Sequence, residues 1–473
     1  MNQRVFAILT AFFLTMQPSF SQPISRQLDQ ALSKLSIDDQ FKHAVVGMYV
    51  INSKTGEIVY DHNSQLGMAP ASCQKVITSV SAFEFLGSGY RYKTFIDVDK
   101  SITNGRLEGN LYIKGGGDPT LGSARWNHTS ESMVLKKTLG ILQKNKIHSI
   151  AGGLVCDDMH FTNQQLPNGW IWEDIGNYYG AGAWGLNWRE NQYDITFKTG
   201  KDVNDVTVIQ STVPGSMLLD YKFTNFIKTG SKNSGDNGYL FSSPYQQNIV
   251  ARGTVPMSEK GFTISGSIPD PPSMFIKTLR QYLNENAVIV TGDVSMYTED
   301  ESAKLPGMKL RRLDSLLSPP LDSINYWFLK KSVNLFGEAL VKAIAYEKLK
   351  PGNTDSGLAL IKEFWSKRGI EKAALKMLDG SGLSPANRIT THALVTVMQF
   401  ARDRPWFASF YNALPEMNGI KMKDGYISGV RSYIGYIKSK DGTVYTFAFI
   451  VNNFDGNPGT VREKMWKLLD LLK

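Results

Sequence analysis

The sequence runs to 473 residues, 42% hydrophobic and 20% charged, and its 52 Lys and Arg against 43 Asp and Glu give a formal net charge of +9. This length predicts two or three domains rather than one core, and the composition is that of a globular chain without long disordered tracts. The basic excess fits a protein that gathers near an anionic surface, a cell wall or an outer leaflet, better than one that binds nucleic acid.

Residues 1–21 carry one positive charge, Arg4, then an apolar run, Pro18 and the small-residue pattern Ser19-Phe20-Ser21. This predicts a cleaved secretory signal cut between Ser21 and Gln22, since the run is short for a membrane span. The mature chain is expected to be exported and periplasmic, without a transmembrane segment. Helical periodicity covers Arg26–Ser36, with Leu28, Ala31, Leu32 and Leu35 on one side. His43–Asn52 and Glu57–Tyr60 flank Ser53-Lys-Thr-Gly56 and read as a β-hairpin. A helix is expected next, over the stretch that begins Met68-Ala-Pro-Ala-Ser-Cys-Gln-Lys75. Cys73 and Cys156 permit one disulfide, although a small buried thiol is the simpler reading for Cys73.

From Arg91 to Pro272 the chain is rich in Gly, Asn, Asp, aromatics and short β-like runs, which predicts an inserted β-rich region over 91–272. Helical periodicity resumes at Met274–Asn284, Asp322–Leu349, Leu358–Lys367 and Thr391–Ala401. Tyr426–Ile437 and Thr443–Asn452 read as a hairpin around Lys440-Asp441-Gly442, and Val461–Leu472 as an amphipathic helix. The end hairpins can complete one antiparallel sheet. The expected class is therefore α+β, an antiparallel sheet flanked by helices and built from 22–90 and 273–473, interrupted by the insertion.

Ser72-x-x-Lys75 occurs once in the chain. On a helix that spacing puts hydroxyl and amine on one face, with Cβ atoms roughly 5–6 Å apart. A lysine whose pKa is lowered by burial or by neighbouring cations can take a serine's proton, and backbone N–H groups at a helix start can stabilise an oxyanion. Such a site needs a Ser-x-Asn on a loop or helix start and then a Lys-x-Gly on a strand edging the cleft. Ser231-Lys-Asn233, Ser323-Ile-Asn325 and Ser332-Val-Asn334 offer the first. Ser332/Asn334 is chosen because a strong helix with Glu338 follows it, whereas Ser323 is explained as a helix cap. Lys198-Thr-Gly200 and Lys228-Thr-Gly230 precede Ser332 and read as turns, which leaves Lys423-Asp424-Gly425.

With these elements in order, the chain resembles serine peptidase family S13, the D-alanyl-D-alanine carboxypeptidase/endopeptidases also called class C low-molecular-mass penicillin-binding proteins. The likeness spans nearly the whole mature chain. It includes Pro70 to Lys75, Gly115-Gly-Gly-Asp-Pro-Thr-Leu121, Ser332 to Glu338, Asp379-Gly-Ser-Gly-Leu-Ser384 and Gly425 to Tyr436. The resemblance implies a serine β-lactamase/DD-peptidase-like fold with a large insertion, peptidoglycan stem peptides as substrate, β-lactams as inhibitors and no cofactor. It implies Ser72 as the acylated nucleophile, Lys75 as its base, Ser332 as proton relay, Asn334 as a substrate contact, and Lys423 as electrostatic aid and carboxylate ligand. The N–H groups of Ser72 and Tyr426 would form the oxyanion hole. Where the family has Lys-Thr-Gly-Thr this chain has Lys423-Asp424-Gly425-Tyr426, and an ionised Asp424 would repel a substrate carboxylate. A non-hydrolysing peptidoglycan-binding protein of the same fold and a β-lactamase are the competing readings.

Other features read as structure. The six His show neither i,i+4 pairing nor Cys partners, so no metal site is expected. Trp170, Trp172, Tyr178, Tyr179, Trp184 and Trp188 suit domain packing more readily than a glycan-stacking surface. Lys330-Lys331 reads as solvated charge, and Ser381 as a turn residue near the site rather than a rival nucleophile.

Overall fold

Strands from the two ends of the chain meet in one sheet. The computed structural model describes residues 23–297 and 309–473; the expected secretory signal lies outside them. The six-stranded sheet runs in the order 58–62, 45–52, 444–452, 430–438, 420–427, 416–417. Val45–Asn52 pairs antiparallel with Val444–Asn452, Gly47 opposite Ile450, and this closes the unit around some 390 intervening residues. The central strands are nearly unbroken apolar runs because both faces are covered. The helices Lys75–Leu86, Asn334–Leu349 and Thr391–Arg402 bury Val76, Phe336, Leu340 and Leu394 against one face. The helices Ile24–Ser36 and Pro458–Leu469 bury Leu28, Leu32, Met465 and Leu468 against the other.

The expected strand Tyr426–Ile437 is divided. Ile420–Ile427 and Val430–Lys438 form a tight hairpin whose Gly429 has φ 68°, a left-handed conformation that glycine adopts without strain. Glu416–Met417 pairs with Ile420 and Lys421, and Pro415 O accepts from Met422 N, so beyond Met422 the outer edge of the 420–427 strand has no strand partner. That edge carries Lys423, Asp424 and Gly425.

The inserted region forms its own core. A five-stranded sheet joins 93–98, 111–114, 154–157, 294–297 and 311–317, beside a small four-stranded sheet and two three-stranded ones. Ile96, Leu142, Trp188, Phe197 and Ile249 pack together inside it. The expected boundary at 272 does not follow this packing. The helix Pro271–Glu285 buries Phe275, Leu279 and Leu283 in the insertion's core, and Arg311–Leu317 pairs antiparallel with Lys93–Val98. Helical periodicity marked a change of element there, whereas the direction of the apolar stripe decides which core the helix joins. Lys228-Thr229-Gly230 likewise ends the strand Lys222–Gly230 instead of forming a turn. Cys73 and Cys156 are free, buried thiols in different cores.

Candidate active site

Ser72 sits in a 3-10 turn, Ala71–Gln74, and the α-helix begins at Lys75. The turn is strained, since Ala71 has φ 46° while fully buried. Its neighbours over-determine it. Ser432 Oγ donates to Pro70 O at 2.6 Å, and Gly425 lies so close that a Cβ there would fall 2.7 Å from Pro70 O and 2.9 Å from Ser72 N. Glycine at 425 is therefore what lets the strand edge approach the backbone of Ser72.

Lys75 Nζ has three partners: Ser72 Oγ at 2.8 Å, Asn334 Oδ1 at 2.6 Å and Ser381 O at 2.7 Å. Burial pushes its pKa down to about 7, helped by the Lys423 cation and opposed by Asp379, Glu338 and Asp424. A neutral amine has two protons and one lone pair. Asn334 Oδ1 and Ser381 O can each take only a donor, so the lone pair faces the Ser72 hydroxyl. With its pKa lowered toward neutrality, a neutral Lys75 would present that lone pair to Ser72.

Asn334 opens its helix and also donates from Nδ2 to Tyr179 O at 2.7 Å, tying the insertion to the site. Ser332, with φ 57° in the bend before that helix, lines the cleft, but its hydroxyl is not a partner of Lys75 or Lys423. The rival motifs fall elsewhere. Ser323 is not the cap expected, because Pro320 holds that position. Its hydroxyl accepts instead from Trp126 Nε1 at 2.8 Å, and Asn325 Oδ1 accepts from Ser79 Oγ at 2.6 Å.

The loop behind Lys75 is organised by Asp379, which had no sequence-based role. Its buried carboxylate accepts from Gln74 Nε2, Gly382 N and Asn387 Nδ2 on one oxygen, and from Trp170 Nε1 and Ser384 N on the other, at 2.7–2.9 Å. Glu338 accepts from Gly380 N with both carboxylate oxygens. Burial and the nearby Asp379 push the Glu338 pKa up to about 8. Together these two carboxyls hold Ser381 O in place for Lys75. Ser381 itself is buried within this loop.

Lys423 is almost wholly buried, and its ammonium is taken by its neighbour: Nζ donates to Asp424 O at 2.6 Å and to Asp424 Oδ1 at 2.9 Å. Burial pushes the Asp424 carboxyl up, but Lys423 and Arg431 outweigh it and hold its pKa below the ordinary value. Asp424 is thus an ionised group beside the site. Tyr426 is half-exposed on the cleft rim, with the Arg431 guanidinium 5.3 Å from its ring centre.

Ser72, Ser332, Asn334, Gly382 and Tyr426 share one cleft of about 580 Å³. Its far wall comes from the insertion: Ile171, Glu173, Asp174, Tyr178, Tyr179 and Tyr239. Trp184 and Trp188 are buried as packing residues, and Trp170 is bonded to Asp379, but Tyr178 and Tyr179 face the cleft and Trp172 faces solvent. Lys331, read as solvated charge, is exposed on the cleft rim.

Comparison with known proteins agrees with this architecture. The chain is 26% identical over 460 residues to a D-alanyl-D-alanine carboxypeptidase of an Actinomadura species, covering 91% of this chain and 82% of the relative. It is 23% identical over 429 residues to the D-alanyl-D-alanine carboxypeptidase DacB of Haemophilus influenzae, covering 86% and 85%. The crystal structure of penicillin binding protein 4 (dacB) from Haemophilus influenzae shares the fold, with a TM-score of 0.79 at 21% identity over 94% of this chain and 99% of that one. The sequence profile of the D-Ala-D-Ala carboxypeptidase 3 (S13) family matches residues 28–471, and the chain belongs to that family.

Proposed function

We propose that this chain is an exported serine DD-peptidase that hydrolyses D-alanyl-D-alanine termini, and D-alanyl cross-links, of peptidoglycan through an acyl-enzyme on Ser72. The observation that carries the reading is the arrangement at Lys75, whose two protons are assigned to Asn334 and Ser381 and whose lone pair meets Ser72. Ser72 Oγ attacks the D-alanyl carbonyl carbon and a C–O bond forms as the serine proton passes to Lys75. The developing oxyanion is held by the N–H groups of Ser72 and Tyr426. The C–N bond then breaks, and the amine leaves with the proton that Lys75 took up; Ser332, on the cleft lining, serves as the relay once the substrate's nitrogen lies between them. Water deacylates Ser72 by the same route reversed.

A Haemophilus influenzae relative of this fold has been solved with a bound β-lactam. A β-lactam ring offers this site the same acyl chemistry. Incubation with a labelled penicillin and intact mass measurement should give one adduct, absent in Ser72→Ala; no adduct at any concentration contradicts the proposal. The Lys423–Asp424 pair favours weak turnover of substrates that end in a free carboxylate, since the cation expected to meet that carboxylate already has an anion.

A further inference from the structure

The three-stranded sheet of Lys222–Gly230, Asn248–Pro256 and Asn237–Phe241 turns one face to the insertion's core and the other to solvent. Ile227, Leu240, Ile249, Ala251 and Val255 are fully buried on the inner face. On the outer face Phe226 and Tyr239 stand either side of Arg252 in exact register, one from each strand. The next row holds Phe241, with the Arg252 guanidinium 5.6 Å from its ring centre and the Trp172 ring 6.1 Å away. Trp172 is 53% exposed and Phe226 55% exposed. Lys222 and Lys228 share the outer face with neutral residues such as Thr224, Val250 and Thr254, and none of the outward positions of these three strands is acidic.

Aromatics gathered on one exposed sheet face are the kind of surface that serves binding. Its chemistry is aromatic ring faces interleaved with cations, which suits a polymer that has apolar ring faces, hydroxyl and amide groups, and carboxylates. The patch is also continuous with the cleft, because Tyr239 belongs to both. We propose that this face binds the glycan strand of peptidoglycan, aligning the polymer so that its stem peptide enters the cleft at Ser72. Choosing glycan as the occupant rests on the DD-peptidase reading above.

The test uses the full chain and soluble glycan strands stripped of their peptides. The wild type should bind them. A Trp172→Ala/Phe226→Ala variant with an unchanged melting temperature should bind at least tenfold more weakly, hydrolyse a short synthetic stem peptide at the wild-type rate and lose activity on intact wall. Absence of wild-type binding, equal binding by the variant, or binding to anionic lipid vesicles but not to the strands overturns the proposal. The penicillin adduct separates the two readings. Strand binding without an adduct at Ser72 refutes the peptidase assignment and leaves the platform standing, whereas an adduct without strand binding does the reverse.

Discussion

Two lysines approach the same cleft, and the fold treats them in opposite ways. Lys75, on the cleft floor, is buried among acceptors that carry no charge, and burial together with the Lys423 cation makes its neutral form accessible near pH 7. Lys423, on the strand edge, is just as buried but is bound by the carboxylate and carbonyl of Asp424. The difference shows how similar burial yields a base in one place and a neutralised cation in the other: the charge of the partner decides. In the proposed mechanism the chemical step rests on the floor, and substrate choice rests on the edge.

Changes on the floor should have the largest effects. Ser72→Ala should lower turnover by roughly 10⁴-fold or more and abolish the penicillin adduct, as loss of an acylated nucleophile does. Lys75→Ala should slow acylation by about 10²–10⁴-fold, the span of general-base catalysis, while the protein stays folded by circular dichroism. Asp379→Ala orphans five donors and should destabilise the fold by about 3 kcal/mol or more, seen as a drop in melting temperature. On the edge, Asp424→Thr should raise kcat/KM about tenfold for peptides ending in a free carboxylate and leave amide-capped analogues unchanged. Two like charges about 4 Å apart cost roughly 4 kcal/mol at an effective dielectric near 20, and Lys423 offsets most of it. Equal effects on both substrate types would erase the distinction between floor and edge.

Much of the floor was legible in the sequence because its signals are local. Ser72 and Lys75 are three residues apart, and Asn334 starts a helix that its own apolar run predicts. Asp379 stood in a recognised stretch, but its role was opaque because its donors, Gln74, Trp170, Gly382, Ser384 and Asn387, are brought together only by the fold. The same limit hid the return of Arg311–Leu317 to Lys93–Val98, a pairing across more than 200 residues that no composition change marks. The partner of Lys423 was adjacent in sequence, and the conflict posed by Asp424 could be read from charge alone. That Asp424 binds Lys423 and stays ionised needed the geometry. The aromatics between Trp170 and Trp188 share one composition yet divide between core, cleft and solvent, because exposure depends on which sheet covers each ring.

The pH dependence of acylation by a penicillin reads the protonation of Lys75, the group proposed to activate Ser72. With the Lys75 pKa lowered to about 7, the neutral form is lost as pH falls through that value. The acylation rate should therefore fall about tenfold for each pH unit below 7 and level off above it. A rate that stays flat from pH 5 to 9, or one that falls as pH rises through 7, would contradict a neutral Lys75 as the base.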